Sequence, residues 1–153
     1  MHGPRSSLKW LGACRIGNMP LTNIVVWATD VGSISKRNFG WCRDDNNSPT
    51  LTGQDIAEFA RGIADDLSTG KRIALGFECP LFVPIADAPD DLTKARDGEK
   101  NRAWSAGAGS GALATGLTEC VWIFERIREL ARTDIRPTFE WEVFASGNAN
   151  LLV

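Results

Sequence analysis

The segment IVVWATD at positions 24–30 decides the fold class, together with the segment IALGFE at positions 73–78. Both are short apolar runs of the kind that forms buried β-strands. The first run ends at Asp30 and the second at Glu78. A carboxylate on an apolar strand is costly unless a cation, a proton or a hydrogen-bond donor compensates it. We therefore expect the two acids to share one site that holds a divalent metal.

Outward from these strands, the pattern predicts an alternation of strands and helices. Residues 38–42 form a second strand, which pairs with the first as a hairpin. A helix begins at the capping sequence 52–55, has apolar residues at helical spacing, and closes at Gly70. The strand over 73–77 follows directly, so a parallel crossover is expected next to the hairpin.

The C-terminal third carries a second helix and a further strand. Residues 86–104 are charged and loop-like, and an apolar stripe over 113–130 predicts a long helix that is buried on more than one side. Residues 138–144 alternate as a half-buried strand, and the apolar run 151–153 looks like the first turn of a helix. Either the sequence is incomplete at this end, or the end docks onto the core.

The order β-β-(β)-α-β-α-β predicts an α/β layer structure, with a mixed sheet of antiparallel hairpin and parallel strands and with flanking helices. A length of 153 residues fits one domain. We expect residues 1–19 to be a poorly structured extension, with the native start at Met19, and residues 20–153 to be the domain.

Bulk composition excludes several classes of protein. The net charge of -2 provides no global basic field for nucleic acid or membranes, although a local basic patch remains compatible with it. No apolar run approaches the length of a membrane span, and the N-terminus is a poor signal peptide. We therefore expect no membrane partner. The four cysteines are far apart in the chain and favour reduced, mostly buried thiols in a cytoplasmic protein. The oligomeric state stays open.

The chain has a single histidine, His2, which limits the kinds of catalysis and metal binding that the site can use. Ser-His-Asp catalysis, Cys-His catalysis and histidine-based metal sites are therefore disfavoured. A metal held by oxygen ligands is Mg²⁺ or Mn²⁺ in preference to zinc. In a two-metal phosphodiester hydrolysis, Asp30 would bridge the metals and Glu78 would bind one of them. The competing interpretations are a turn-forming Asp30 and a Glu78 that pairs with Arg102.

A basic segment over 94–102 follows Glu78 by one loop and suggests how a substrate would bind. Lys100 and Arg102 are candidates for phosphate contacts, and Trp104 for base stacking. A solvated charged loop is the alternative, and Glu99 is a weaker candidate for a further acid. The glycine-rich stretch 105–112 does not follow a strand, so a loop or a helix with small residues is favoured over a phosphate cradle.

Short motifs resemble a known superfamily. The element order and the acid positions resemble the ribonuclease H-like superfamily, above all its Holliday-junction resolvase branch. The segments 30–33 (DVGS), 38–41 (NFGW) and 78–81 (ECPL) resemble a family of bacterial proteins described only as predicted nucleases of unknown function. The resemblance implies a metal-dependent nuclease that acts on nucleic acid, with Asp30 and Glu78 as catalytic metal ligands.

The resemblance also implies a further acid from a C-terminal helix, and this chain ends where that helix should begin. Glu142, Asp44 or Asp45 would then substitute for it, or the domain is inactive. Members of the superfamily also serve as scaffolds, so a non-catalytic ribonuclease H-like binding or scaffold module is the main alternative. A nucleotide-phosphate hydrolase that uses the 105–112 stretch is a third, weaker alternative.

Overall fold

A mixed β-sheet with helices packed on it forms the protein. The computed structural model describes residues 23–83, 85–95, 103, 105 and 107–153. The strands are β1 (Ile24–Asp30), β2 (Gly40–Asp44), β3 (Leu51–Gly53), β4 (Arg72–Phe77), β5 (Pro137–Thr138) and β6 (Leu151–Leu152). The helices are α1 (Ile56–Ser68), α2 (Ala108–Leu130) and α3 (Trp141–Ala145), with 3-10 turns at Ile34–Lys36 and Pro89–Asp91. The predicted α/β class with a mixed sheet is confirmed.

The six strands lie in the order β3-β2-β1-β4-β6-β5. Strands β1, β2 and β3 form an antiparallel meander, whereas β4, β6 and β5 continue from β1 in parallel. The register of the β1–β4 pair sets Ala28 beside Gly76 and Thr29 beside Phe77. The two central strands therefore end at the same level of the sheet.

One face of the sheet is buried under α1 and α2. Side chains alternate along β1, so Val25 and Trp27 are buried while Val26 is exposed on the other face. From the helices, Phe59 of α1 and Ile123 of α2 are fully buried against this inner face. The opposite face of β1 and β4 ends at the two acids.

Helix α1 begins later than its sequence predicts, because Thr52 lies in β3 and the residue that caps the helix is Asp55. The Asp55 side chain accepts hydrogen bonds from the backbone N–H groups of Ala57 at 2.7 Å and Glu58 at 2.9 Å, which satisfies two of the unpaired donors of the first turn. The chain leaves the helix through Gly70, whose φ of +79° is in the left-handed region that favours glycine. The predicted end of the helix at Gly70 is confirmed to within about two residues, whereas the predicted cap, Thr52, lies three residues before the observed one.

The predicted strand over 138–144 is wrong. Only Pro137 and Thr138 join the sheet, and Trp141–Ala145 is the short helix α3. The alternating pattern predicted a strand wrongly, because its apolar residues do not share one buried face: Phe139 is 63% exposed, whereas Phe144 is fully buried. One turn of helix is enough to bring that single ring into the core beneath the guanidinium of Arg72, which lies 4.4 Å from the ring centroid.

The apolar run 151–153 is not the first turn of a helix. Leu151 and Leu152 form β6 between β4 and β5, and Leu151 is buried. The Ile73 N–H donates to the carbonyl oxygen of Asn150 at 2.9 Å, and the Val153 N–H donates to that of Thr138 at 3.0 Å. The alternative expectation, that this end docks onto the core, is confirmed.

Helix α2 is longer and less buried than the sequence predicts. It begins at Ala108, five positions earlier than the expected 113. Cys120 and Ile127 face the core, but Leu117 is 40% and Val121 60% exposed, so the expectation of burial on more than one side is wrong. Neither α2 nor another helix in the described part of the chain has the length and apolar character needed to cross a membrane.

The expected extension 1–19 and its boundary with the domain at residue 20 lie outside the described residues.

Candidate metal centre

The two predicted acids lie side by side at the end of the central strands. Asp30 is the last residue of β1, and Glu78 directly follows the last residue of β4. Because Thr29 is in register with Phe77, Asp30 and Glu78 occupy the next matched positions, with Cα atoms about 5 Å apart. Both side chains are exposed, on the sheet face opposite α1 and α2. The strand register thus brings together the two carboxylates that the sequence singled out.

A shallow depression of about 480 Å³ opens around the pair. Its floor contains Ala28, Gly40 and Gly76, whose small or absent side chains keep the surface between the acids low. The Thr29 hydroxyl donates to the Gly40 carbonyl oxygen at 2.8 Å and fastens β1 to β2 at this level. The depression is therefore a fixed part of the sheet surface.

Neither carboxylate has a protein partner in the described part of the chain. No hydrogen bond or ion pair within residues 23–83, 85–95 and 107–153 involves the Asp30 or Glu78 side chain. The interpretation of Asp30 as a turn-forming residue predicts hydrogen bonds to nearby amides, which are absent among these residues. Arg102, the predicted partner of Glu78 in the competing interpretation, lies outside the described residues. Two adjacent carboxylates of this kind suit a hard cation.

The prediction that Asp44 or Asp45 supplies a further metal ligand is wrong. Asp44 pairs with Val26, whereas Asp30 pairs with Gly40, so Asp44 lies four residues along the strand, about 13 Å from Asp30. Asp45 is engaged at that far end, where it accepts a hydrogen bond from Arg43 at 3.0 Å and from the Ser48 N–H at 2.9 Å. Asp44 and Asp45 are far from Asp30 because β2 runs antiparallel to β1, so that its last residues lie beside the start of β1.

The third proposed acid, Glu142, lies in the first turn of α3 and is exposed. In the described residues, no group of three or more histidine, cysteine, aspartate or glutamate side chains is spaced to hold a metal ion. The described residues thus supply two carboxylates, and Glu142 does not join them. A site of this size suits one Mg²⁺ or Mn²⁺ that retains several water ligands.

The residues predicted to bind substrate are not among those that the structure describes. Lys100, Arg102 and Trp104 lie outside the described residues, as does Glu99. Residues 108–112 belong to the first turns of α2, so a helix with small residues is confirmed for them. The position of these residues in a helix does not support the interpretation of this stretch as a phosphate cradle.

Two basic residues near the acids were missed. Lys36 and Arg37 are exposed in the loop that joins β1 to β2 at the edge of the sheet where Asp30 lies. The loop is held by the Lys36 and Asn38 N–H groups, which both donate to the Ser33 carbonyl oxygen at 3.1 Å. The signal was present in the sequence as a Lys-Arg pair six residues after Asp30.

A third missed residue is Glu119, in the middle of α2. It is 93% buried, and burial raises the pKa of its carboxyl group, an effect that the backbone amide of Gly32 partly offsets. Its Oε2 atom is buried and has no hydrogen-bond partner among the residues that the structure describes. Its signal was an acid one residue before Cys120 and four before Ile123, on the apolar stripe of the predicted helix.

The thiols of Cys79 and Cys120 are poor nucleophiles. Both are free cysteines. Burial raises the pKa of Cys79, and it raises that of Cys120 to about 12, so both thiols stay protonated at neutral pH. Because the thiolate is the reactive form, neither cysteine suits covalent catalysis.

Gly32 sets the path of the chain directly after Asp30. A Cβ atom at this position would lie 2.6 Å from the backbone carbonyl oxygen of Asn38, a contact that no rotamer change relieves. We expect Gly32→Ala to lower the free energy of unfolding by about 1–3 kcal/mol, measured by urea denaturation. The control is Gly40→Ala, where a Cβ meets nothing within 4 Å. Equal stability of the two variants would show that the turn adapts freely.

Comparison with known proteins does not assign a family to the chain. No protein-family model, no curated protein and no solved structure matches it.

Proposed function

We propose that this chain is a divalent-metal-dependent nuclease of ribonuclease H-like fold, in which Asp30 and Glu78 bind Mg²⁺ or Mn²⁺. The observation that carries the proposal is the acid pair itself. Two exposed carboxylates occupy matched positions on neighbouring parallel strands, without a partner among the described residues. Like charges at neighbouring positions of a sheet repel each other, and a divalent cation held between them removes the repulsion.

The sheet supports the fold part of the proposal. Its order β3-β2-β1-β4, with an antiparallel meander followed by a parallel strand, is compatible with a ribonuclease H-like fold. The first acid then lies on the central strand β1 and the second at the end of its parallel neighbour β4. This placement is the one that the sequence resemblance implies.

The roles of the residues in phosphodiester hydrolysis follow from their positions. Bound Mg²⁺ or Mn²⁺ would stabilise charge on the phosphoryl oxygens and lower the pKa of an attacking water. Asp30 and Glu78 would hold the ion at the edge of the open depression, where a phosphodiester backbone can approach it. Lys36 and Arg37 would contact neighbouring phosphates from the β1–β2 loop. A two-metal mechanism requires further oxygen ligands than the two carboxylates described here.

A non-catalytic binding or scaffold module of the same fold is the second candidate, and one observation favours it. An apolar groove of about 390 Å³ lies beside the acid pair on the same sheet face and shares Gly76 with the depression. Val26, Phe139 and Trp141 line it and are 44%, 63% and 40% exposed. Exposed apolar side chains gathered in one groove are typical of a binding surface.

The two candidates differ in their response to metal. We expect the purified chain to cleave at least one of four nucleic acids, namely single-stranded, duplex, branched and RNA–DNA hybrid, in Mg²⁺ or Mn²⁺ and not in EDTA. We also expect Mn²⁺ to raise the thermal midpoint, because it binds the folded state. Neither cleavage nor a metal-dependent thermal shift would favour the scaffold module. Cleavage that persists in EDTA would contradict the metal-dependent mechanism.

A further inference from the structure

Three exposed aromatic rings lie near the acid pair, and metal binding by the two carboxylates makes no use of them. Phe139 and Trp141 line the apolar groove and are 63% and 40% exposed. Phe82 is 64% exposed, and its ring packs edge-to-face on that of Phe139, with the ring centroids 5.1 Å apart. Aromatic side chains contribute most to stability when they are buried, so a group of rings that stays this exposed points to contact with a ligand.

The floor of the groove is flat, because the side chains of β4 that face it are small. Ala74 and Gly76 line the groove and alternate with Leu75, whose side chain is buried on the opposite face of the sheet, under the helices. A Cβ atom at Gly76 would meet no atom outside its chain neighbours closer than 3.9 Å, so the surface there is open. A flat strip bordered by aromatic rings suits a planar ring as its occupant.

The groove is continuous with the depression around the acids. Gly76 lines both, and it lies two residues before Glu78, about 7 Å away along the chain. Phe82 follows Glu78 by four residues, so the two Cα atoms are at most about 14 Å apart. A ligand whose anionic group is held at the metal site would therefore place a neighbouring group in the groove.

We propose that the groove binds an unpaired base of a single-stranded nucleic acid whose phosphate is held at the metal site. The inference rests on the proposed function, because the metal holds the phosphate, and it names the substrate class of that site. Bases in a duplex are stacked on each other, whereas the bases of a single strand are free to stack on aromatic side chains. Lys36 and Arg37, exposed at the same edge of the sheet as Asp30, supply positive charge for the neighbouring phosphates.

The test measures binding of fluorescein-labelled oligonucleotides to the full chain by fluorescence anisotropy, at physiological salt and in Ca²⁺, which like Mg²⁺ takes oxygen ligands. The probes are a single strand, an abasic strand of the same length, and a duplex, each checked on a gel for cleavage. The abasic strand keeps the phosphates and lacks the bases. We expect the wild type to bind the single strand at least about tenfold more tightly than either of the other probes, because only its bases can stack on the rings.

Phe139→Ala and Phe139→Leu are the variants. Both should bind the single strand about tenfold more weakly than the wild type and the abasic strand equally well, since neither side chain offers a ring for stacking. Phe139→Leu keeps an apolar side chain, so it separates stacking from general apolar contact and decides the matter if Phe139→Ala does not fold. Val121→Ala is the matched control and should bind as the wild type does, because Val121 is 60% exposed on α2, which covers the opposite face of the sheet.

Wild-type affinity for the single strand in Phe139→Leu would overturn base binding, and so would equal affinity of the wild type for the single strand and the abasic strand. A protein segment would then be the better occupant of the groove. Cleavage of a nucleic acid in Mg²⁺ or Mn²⁺ would in that case leave the proposed function intact. Conversely, ring-dependent binding of the single strand without cleavage of any nucleic acid in Mg²⁺ or Mn²⁺ would contradict the nuclease and support base binding alone.

Discussion

Asp30→Asn and Glu78→Gln are each expected to lower the rate of metal-dependent cleavage about a thousandfold, which corresponds to about 4 kcal/mol of lost transition-state stabilisation. The reason is that each variant removes one of the two charged oxygen ligands that the strand register brings together. An amide is a weaker ligand for a hard cation than a carboxylate. The rate is measured with the nucleic acid that the wild-type protein cleaves best, at saturating Mn²⁺.

The same variants should fold as well as the wild type. In EDTA, removing one of two neighbouring negative charges relieves repulsion, so the thermal midpoint should stay the same or rise. On addition of Mn²⁺, the wild-type midpoint should rise further, whereas those of the variants should not.

Asp65→Asn and Glu125→Gln are the matched controls, because both residues are exposed on helices of the opposite sheet face. They should retain cleavage and the Mn²⁺ response. Undiminished cleavage in Asp30→Asn and Glu78→Gln would show that the acid pair does not carry the activity.

Asp66→Ala is expected to lower the free energy of unfolding by about 3–5 kcal/mol. The Asp66 carboxylate is nearly fully buried and accepts hydrogen bonds from Arg43 Nε at 2.8 Å, Lys71 Nζ at 2.9 Å and Trp27 Nε1 at 3.0 Å. Its removal leaves the buried Arg43 guanidinium without its main counter-charge, because Asp45 is then its one remaining ion-pair partner among the described residues. Urea denaturation measures the loss.

The pH dependence of this effect has a definite sign. Burial alone would raise the pKa of Asp66, but the hydrogen bonds from Arg43, Lys71 and Trp27 outweigh it and hold the pKa below its ordinary value of 3.8. A lowered folded-state pKa stabilises the protein above the unfolded-state pKa, and this contribution is lost as the pH falls through the folded-state value. The difference in stability between the wild type and Asp66→Ala should therefore be constant near neutrality and shrink below about pH 4.

Asp65→Asn serves as the control here too, since Asp65 is the exposed neighbour of Asp66 on α1. A surface substitution of this kind changes stability by about 0.5 kcal/mol or less. If Asp66→Ala cost no more than the control, the four-residue network would be dispensable for folding.

The sequence predicted those elements whose own apolar residues are spaced regularly enough to identify them without knowledge of tertiary contacts. The strands β1 and β4 and the helix α1 each bury a regular set of side chains, so the spacing of their apolar residues located them. The run 138–144 failed because its two aromatic residues at 139 and 141 are exposed and only Phe144 enters the core. Strand β6 is two residues long and exists through hydrogen bonds to β4 and β5, which no local pattern encodes.

In the candidate site too, some residues could be predicted from the local sequence and others depend on the tertiary structure. Asp30 and Glu78 were predicted because each interrupts an apolar strand, and parallel pairing then brought them to one level. Glu119 was missed although it lies on the apolar stripe of the predicted helix, because the sequence pattern does not show how deeply a single acid on that stripe is buried. Asp44 and Asp45 were misplaced because their distance from Asp30 depends on the direction of β2.

The measurement that tests the metal site most directly is anomalous diffraction from crystals of the chain soaked in Mn²⁺. The acid pair predicts an anomalous peak within bonding distance of one carboxylate oxygen from Asp30 and one from Glu78. The peak should vanish in crystals of Asp30→Asn soaked in the same way. Saturating Mn²⁺ that leaves no peak between these two carboxylates, or that places it only at other acids, would contradict the assignment of Asp30 and Glu78 as the metal site.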